Sequence, residues 1–286
     1  MERAVRDAPW KLHLDLVDAD GELVTDATAV TLAVTDLAGA GVAGSPFTVA
    51  DPDSGQLSVL IPAAALTTLG VYDLEWTITR PGGAEKRRGQ LEVVGAFLYG
   101  LDELRAAYDE FANADEWPAR ILRANRNAVE DLIESHCRPA FRRRRARATL
   151  DGTGTAELLL ADLYPTELVA ASIDGAALTS EELADVEVYE LGVLHRRTGV
   201  WTRGARNVTV VYEHGLDEVP RDATVNAMRL AAATLVRSST PDRATSVATD
   251  VGNFRLTVAD REHPTGIPDV DAFIERWGGG NPLYVS

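Results

Sequence analysis

The first third of the chain alternates apolar and polar residues, which is the pattern of half-buried β-strands. Leu12, Leu14 and Leu16 form the first alternating stretch, and an Asp-Gly pair at residues 20–21 ends it. Such a pair favours a tight turn between antiparallel strands. Four further stretches alternate in the same way and end at glycine or proline: AVTLAVTDLAG, GQLSVLIP, GVYDLEWTITRPGG and GQLEVVG.

No helical period separates these stretches between residues 10 and 94. Short strands joined by turns are typical of an immunoglobulin-like β-sandwich. We therefore predict such a domain over residues 1–95, with Trp76 in its core because large aromatic side chains usually pack there. Residues 96–100, between two glycines, form the predicted linker.

From residue 101 the apolar residues follow a helical period. The pattern predicts helices near 101–111, 117–138, 221–238 and 268–277, with prolines close to several of their ends. The second helix carries an apolar stripe that ends in His136, which we interpret as a core histidine and not as a metal ligand. Ala227 and Ala231 on the third helix would let another helix approach closely.

Alternating patterns return between the second and third of these helices. They predict an inserted β-subdomain over residues 145–213, with hairpin turns at residues 151–152 and 174–175, where Asp-Gly pairs occur. A further hairpin is expected at 245–259, and residues 278–286 read as a tail. The predicted fold is therefore α+β with two domains: the sandwich, and a helical domain over 101–277 that contains the β-insertion.

Charge and composition restrict the function. With 44 acidic and 28 basic side chains the net charge is −16, so the surface as a whole does not suit nucleic acid. No apolar stretch approaches the roughly 18 residues of a membrane span, and we expect neither a membrane association nor a secretory signal. The single cysteine, Cys137, is expected to be packed.

The chain contains no P-loop, no HExxH and no GxSxG motif. His214 lies beside Glu213 and near Asp217, but neighbouring residues at a strand end point to opposite faces and do not converge. We therefore expect no catalytic residue, no metal site and no cofactor, and we do not expect an enzyme.

The order of the motifs in the second half resembles the head-to-tail adaptor (head completion) proteins of long-tailed bacteriophages. The resemblance covers residues 101–277, and no single motif in it is diagnostic. The N-terminal half is similar, more weakly, to immunoglobulin-like modules that are fused to such phage proteins. Five segments carry the resemblance: LDELRAAY, AVEDLIESHCRPAFRRRRARATLDG, LLLADLYPTELVAASIDG, NVTVVYEHGLDEVPRDATVNAMRLAAATL and PDRATSVATDVGNFRL with PTGIPDVDAFIERW.

The resemblance implies a structural virion protein, assembled in the host cytoplasm and located in the neck between head and tail. About twelve copies would form a closed ring beneath the portal protein. The next neck, stopper or tail protein would bind its other side. DNA would pass through the channel without sequence-specific binding, which an acidic wall favours. The alternatives are another neck component such as a stopper, or a virion-surface binding module.

Two segments are candidate contact sites. The segment FRRRRAR, residues 141–147, leaves a helix and enters a strand on which Arg143, Arg145 and Arg147 share one face. We favour contact with carboxylates of a neighbouring subunit over a solvated face or DNA, and place Ala227 and Ala231 at the same kind of interface. In the tail, Leu283, Tyr284 and Val285 are expected to dock on the portal.

Overall fold

A computed structural model describes residues 1–18, 20–37, 39–236 and 263–278, together with the backbone of two short strands within 246–255. The described residues form several sheets and five helices, and strands predominate. The predicted α+β class is confirmed at this level.

Seven strands of the N-terminal part form two sheets that share one core. The larger sheet has the order β1-β7-β6-β3-β4, in which β1 runs parallel to β7 and the other pairs are antiparallel. The smaller sheet pairs β2 with β5. Trp76 is buried between the sheets, as predicted. The strands are β1 (Glu2–Val5), β2 (Trp10–Asp15), β3 (Ala29–Thr35), β4 (Phe47–Thr48), β5 (Gln56–Ile61), β6 (Gly70–Arg80) and β7 (Gly83–Val94).

The predicted linker is packed against the helices. Leu98 and Tyr99 are buried in the helical core, and the Gly95 N–H donates to the Arg143 carbonyl at 2.8 Å. The chain therefore passes from the sheets to the first helix through ordered, buried residues. The consecutive large side chains Leu98 and Tyr99 within this five-residue segment are the sequence signal for the packing.

The four predicted helices are present; the first three are shorter than predicted, and the last extends one residue further, to Gly278. The first stops at residue 107 because Tyr108 is extended, and a 3-10 turn follows it at Asp109–Phe111. A short helix with a Thr179–Glu182 capping box was not predicted. The helices are α1 (Leu101–Ala107), α2 (Ala119–His136), α3 (Ser180–Ala184), α4 (Arg221–Leu235) and α5 (Pro268–Gly278).

Helices α2, α4 and α5 enclose the second core. Ala227 and Ala231 are fully buried in it, so their small side chains serve packing within the chain and are not available to a neighbouring subunit. The expectation that His136 is a core histidine is wrong. Its side chain is exposed at the end of α2, where its ring lies 2.9 Å from the Leu132 carbonyl.

The β-insertion between α2 and α4 has a third core around Trp201. One sheet has the order β11-β10-β14-β8, and another the order β12-β13-β9. The turn at residues 174–175 is confirmed, with left-handed φ angles of 51° and 81°; the one predicted at 151–152 is wrong because both residues lie in β8. The strands are β8 (Arg144–Gly152), β9 (Glu157–Leu159), β10 (Pro165–Ile173), β11 (Ala176–Ala177), β12 (Val186–Tyr189), β13 (Val193–Arg196) and β14 (Gly204–His214).

The predicted hairpin at 245–259 is represented by two paired antiparallel strands, β15 (Ser246–Thr249) and β16 (Gly252–Arg255). Gly278, the first residue of the predicted tail, is the last residue of α5. Residues 279–286 lie outside the described residues, and with them Leu283, Tyr284 and Val285.

Candidate functional site

The arginine segment, residues 141–147, lies where the N-terminal sheets, α2 and the β-insertion meet. Phe141 is buried in the helical core, and β8 begins at Arg144, antiparallel to β14. The strand alternation places Arg145 opposite Glu213 and Arg147 opposite Val211 on one face. The predicted shared face is therefore present for these two arginines.

Arg142 is the most deeply placed of these arginines. Its guanidinium donates to the carboxylates of Glu130 and Glu134 on α2, the latter at 2.9 Å, and neither Arg142 nor Glu130 is exposed to solvent. Charges this deeply buried are retained only when they are paired and hydrogen-bonded. The Arg142 side chain is thus a structural group and cannot reach a phosphate.

Arg144 and Arg3 extend these contacts to the N-terminal sheet. Arg144 donates to Glu92 on β7 at 2.7 Å and to Glu134 at 3.2 Å. Arg3 on β1 donates to Glu92 at 2.8 Å and to the Asp131 carboxylate of α2. We call this set the ion-pair junction: Arg3, Glu92, Glu130, Asp131, Glu134, Arg142 and Arg144.

Two carboxylates of the ion-pair junction, Glu92 and Glu134, have pKa values that are shifted in opposite directions. Burial works against ionisation of Glu92, but the charges of Arg144 and Arg3 outweigh it and lower the pKa. For Glu134, burial prevails over the attraction of Arg142 and Arg144 and raises the pKa. One Glu134 oxygen is buried with no hydrogen-bond donor among the described residues, which agrees with this direction.

The remaining arginines of the segment also contact their own chain. Arg143 donates to Asp217 at 2.6 Å, and Arg145 to Glu213 at 2.6 Å. Arg147 is exposed and forms no ion pair with any described residue. We predicted that this face meets carboxylates, but those bound by Arg143 and Arg145 belong to the same subunit. Arg147 alone remains available for a partner.

The acidic half of the junction was missed at the sequence level. Glu130 and Glu134 are four residues apart on α2, each next to an apolar residue of the buried stripe, Val129 and Ile133. That spacing puts both carboxylates on one side of the helix. An acidic pair bordering an apolar stripe, followed by an arginine-rich segment, is the signal that could have identified the pairing.

His214 contacts a different carboxylate from the two considered in the sequence. Its Nε2 lies 3.9 Å from the Asp162 carboxylate, which accepts a hydrogen bond from the Tyr212 hydroxyl at 2.5 Å. Glu213 lies on the opposite face, as expected. Burial lowers the pKa of His214, the last residue of β14, which favours the neutral ring.

Three glycines, Gly39, Gly41 and Gly44, have the GxGxxG spacing of dinucleotide-binding loops. In the described part of this connection they join β3 to β4, two antiparallel strands of one sheet. The motif binds a pyrophosphate only where it precedes a helix, whose N-terminus faces the phosphates. Here the spacing carries no such function.

The β-insertion presents apolar side chains to solvent. Leu191 and Leu159 are 78% and 69% exposed. Leu159 and Tyr189 both pair with Val193 in the three-stranded sheet, and Leu191 lies in the turn between β12 and β13. Large apolar side chains grouped on a surface are typical of a contact with another protein. We call Leu159, Tyr189 and Leu191 the apolar tip.

Across the described residues, histidine, cysteine and carboxylate side chains nowhere gather in the groups of three or more that could hold a metal ion. Among those residues, too, no helix has the length and apolar character to span a membrane. Comparison with models of known protein families and with curated proteins gives no match for this chain.

Proposed function

We propose that this protein is a structural component of a long-tailed bacteriophage virion, a head-to-tail adaptor that forms a ring of about twelve copies beneath the portal. The ring completes the DNA-filled head, joins it to the tail and leaves a channel for DNA. In this proposal residues 1–95 are an immunoglobulin-like domain, and residues 101–277 are the adaptor domain.

The observation that carries the proposal is the order of elements in the second half. Helices α1 and α2 precede a β-insertion of about 70 residues, and α4, the β15–β16 hairpin and α5 follow it. The insertion has its own core, while α2, α4 and α5 share another. A helical body with a separate β-insertion suits a ring whose helices line a channel and whose insertions lie outside it.

The charge distribution supports passage of DNA without binding. The chain has a net charge of −16, and the arginine segment, its most basic stretch, uses four arginines on its own carboxylates. Arginine that is already paired with a carboxylate of its own chain is less available to neutralise phosphates. A surface with an acidic net charge lets a polyanion pass without sticking.

The apolar tip is the surface that we assign to the contact between subunits. Its side chains are exposed on the β-insertion, and Arg147 on the same insertion forms no ion pair with any described residue, so it is free to meet a carboxylate. In a closed ring each subunit offers two different surfaces to its two neighbours. We assign one of these two surfaces to the apolar tip, in place of Ala227 and Ala231 of α4.

The proposal is tested by imaging the purified protein and weighing its assemblies by native mass spectrometry. The full chain should form closed rings with a central opening. The double variant Leu159→Asp/Leu191→Asp should remain monomeric, since burying these charges against a neighbour is unfavourable. Leu60→Asp, at a similarly exposed leucine of β5, is the matched control and should assemble normally. A chain that stays monomeric at all concentrations contradicts the ring.

A further inference from the structure

A groove of about 820 Å³ opens at one side of the N-terminal sandwich. Residues 12–15 of β2 form one wall, and residues 87–90 of β7 form the other. Leu57 and Trp76, between the two sheets, form its floor, and the first two turns of α2 border it. A cleft of this size between two sheets accommodates an extended chain segment.

Strand β2 has a free edge on this groove. Its sheet contains β5 and no other described strand. The Leu16 N–H bonds to the Gly55 carbonyl, and in an antiparallel pair the residues that face the partner strand alternate. The N–H and C=O groups of Lys11, His13 and Asp15 therefore point away from β5, and none of them bonds to another described backbone group.

The opposite wall is also incomplete. Strand β1 pairs with β7 only from Leu91 to Val94, so residues 83–90 of β7 have no described strand on that side. The two sheets thus leave unpaired edges along the same groove. An unpaired edge is a template for an added strand unless charge or a covering element prevents it.

The charges around the groove select the partner. Its lining contains the four arginines Arg87, Arg88, Arg120 and Arg123 against the two carboxylates Glu2 and Asp15. Arg88 and Arg120 are 79% and 74% exposed, and their pairs with Glu75 and Asp15 are surface pairs, which contribute little and exchange readily. The groove lining therefore holds more arginines than carboxylates on a strongly acidic chain, although Arg87 also pairs with Glu85 at 2.7 Å.

His13, in the middle of the edge, experiences this positive environment. Its pKa is lowered by partial burial and by the neighbouring cations Lys11 and Arg123. Cations beside an edge strand, here Lys11 on β2 and Arg123 on α2, discourage pairing with a neutral or basic segment. They favour a segment that carries carboxylates.

We propose that this groove binds an acidic, extended segment of a partner protein, which pairs with β2 as an added strand. The backbone of the segment would bond to the N–H and C=O groups of Lys11, His13 and Asp15. Its carboxylates would meet Arg88 and Arg120, and alternate apolar side chains would cover the floor. Nucleic acid fits less well, because it has no backbone amides to complete a sheet and the chain as a whole repels it.

The probe is a blocked synthetic peptide of alternating valine and glutamate, as long as β2, and its binding to the full chain is measured by calorimetry. Two control ligands are measured in the same way: the same peptide with lysine in place of glutamate, and single-stranded oligothymidylate. The glutamate peptide should bind and the other two should not. His13→Pro removes one edge N–H, at a position where an edge strand tolerates proline, and should weaken binding roughly tenfold or more.

Two further variants make the test specific. Arg88→Ala/Arg120→Ala leaves the backbone intact and should also weaken binding. Ser58→Pro changes the opposite edge of the same sheet and should have no effect; circular dichroism verifies the fold of each variant. The proposal is overturned if the glutamate peptide fails to bind, if lysine peptide or DNA binds equally well, or if Ser58→Pro weakens binding as much as His13→Pro.

Discussion

Arg142 and Glu130 are twelve positions apart and form an ion pair in which both side chains are shielded from solvent. Glu130 lies on α2, and Arg142 lies beyond the turn that follows the helix. Glu130 also accepts a hydrogen bond from the Leu98 N–H at 2.8 Å. The Glu130 carboxylate therefore holds the chain both where it enters the helical body, at Leu98, and where it leaves toward the β-insertion, at Arg142.

Replacing Arg142 by alanine should lower the free energy of unfolding by about 3–5 kcal/mol, because Glu130 and Glu134 would remain buried with an uncompensated charge. Arg147→Ala is the matched control, at an exposed position of the same segment, and should change the stability by less than about 0.5 kcal/mol. Urea unfolding of both variants measures the difference. Equal stabilities would show that the Arg142 pair contributes nothing.

Glu92 and Glu134 should give opposite pH dependences. The pKa of Glu92 is lowered from 4.5, so its ion pairs stabilise the fold above that pH, and this stability is lost as the pH falls through the lowered pKa. The pKa of Glu134 is raised from 4.5, so the folded state loses stability as the pH rises from 4.5 through the raised pKa.

Urea unfolding between about pH 3 and pH 7 tests these two opposite pH dependences. Glu92→Gln should flatten the loss of stability below pH 4.5, whereas Glu134→Gln should flatten the decline above it. Parallel pH profiles for the two variants would be incompatible with the assigned directions.

Cys137 should be unreactive in the folded protein. It is buried after α2, and burial, followed by the charge of Glu134, raises the pKa of its thiol to about 12. The thiolate is the reactive form, so iodoacetamide at mildly alkaline pH should label the native chain slowly and the urea-unfolded chain rapidly. Fast labelling of the native chain would mean that the residue is accessible.

Residues 1–95 should fold without the remainder. Their apolar core draws all of its buried residues from the range 4–93. The fragment should be less stable than the same region in the full chain, because Glu92 and Arg3 lose their partners on α2 and β8. Thermal unfolding followed by circular dichroism should give one cooperative transition; a fragment without one would place the boundary elsewhere.

The sequence pattern predicts the longer strands and helices because each follows a local period, whereas the short elements β1, β4 and α3 were not predicted. Leu12, Leu14 and Leu16 identify β2 without knowledge of its neighbours. The four predicted helices follow from their apolar stripes and from the prolines near their ends. The length of α1 was overestimated because Tyr108 adopts an extended conformation that no local signal marks.

The partners of charged residues could not be predicted in the same way. Arg144 pairs with Glu92, which lies 52 positions earlier, and Arg145 pairs with Glu213, which lies 68 positions later. These contacts depend on how the sheets and α2 meet, and an arginine's preference for carboxylate or phosphate does not reveal the partner. The same holds for Ala227 and Ala231, whose small size suits a helix contact inside one chain as well as between chains.

The proposed adaptor function, in which the chain joins heads to tails, is tested most directly by electron microscopy of virions assembled without the chain. Under the adaptor proposal, deletion of the reading frame from the encoding genome should give DNA-filled heads that lack tails, and the full chain supplied separately should restore complete particles. Deleted phage that assembles intact, tailed, DNA-filled particles would contradict the adaptor function and favour the surface-module alternative.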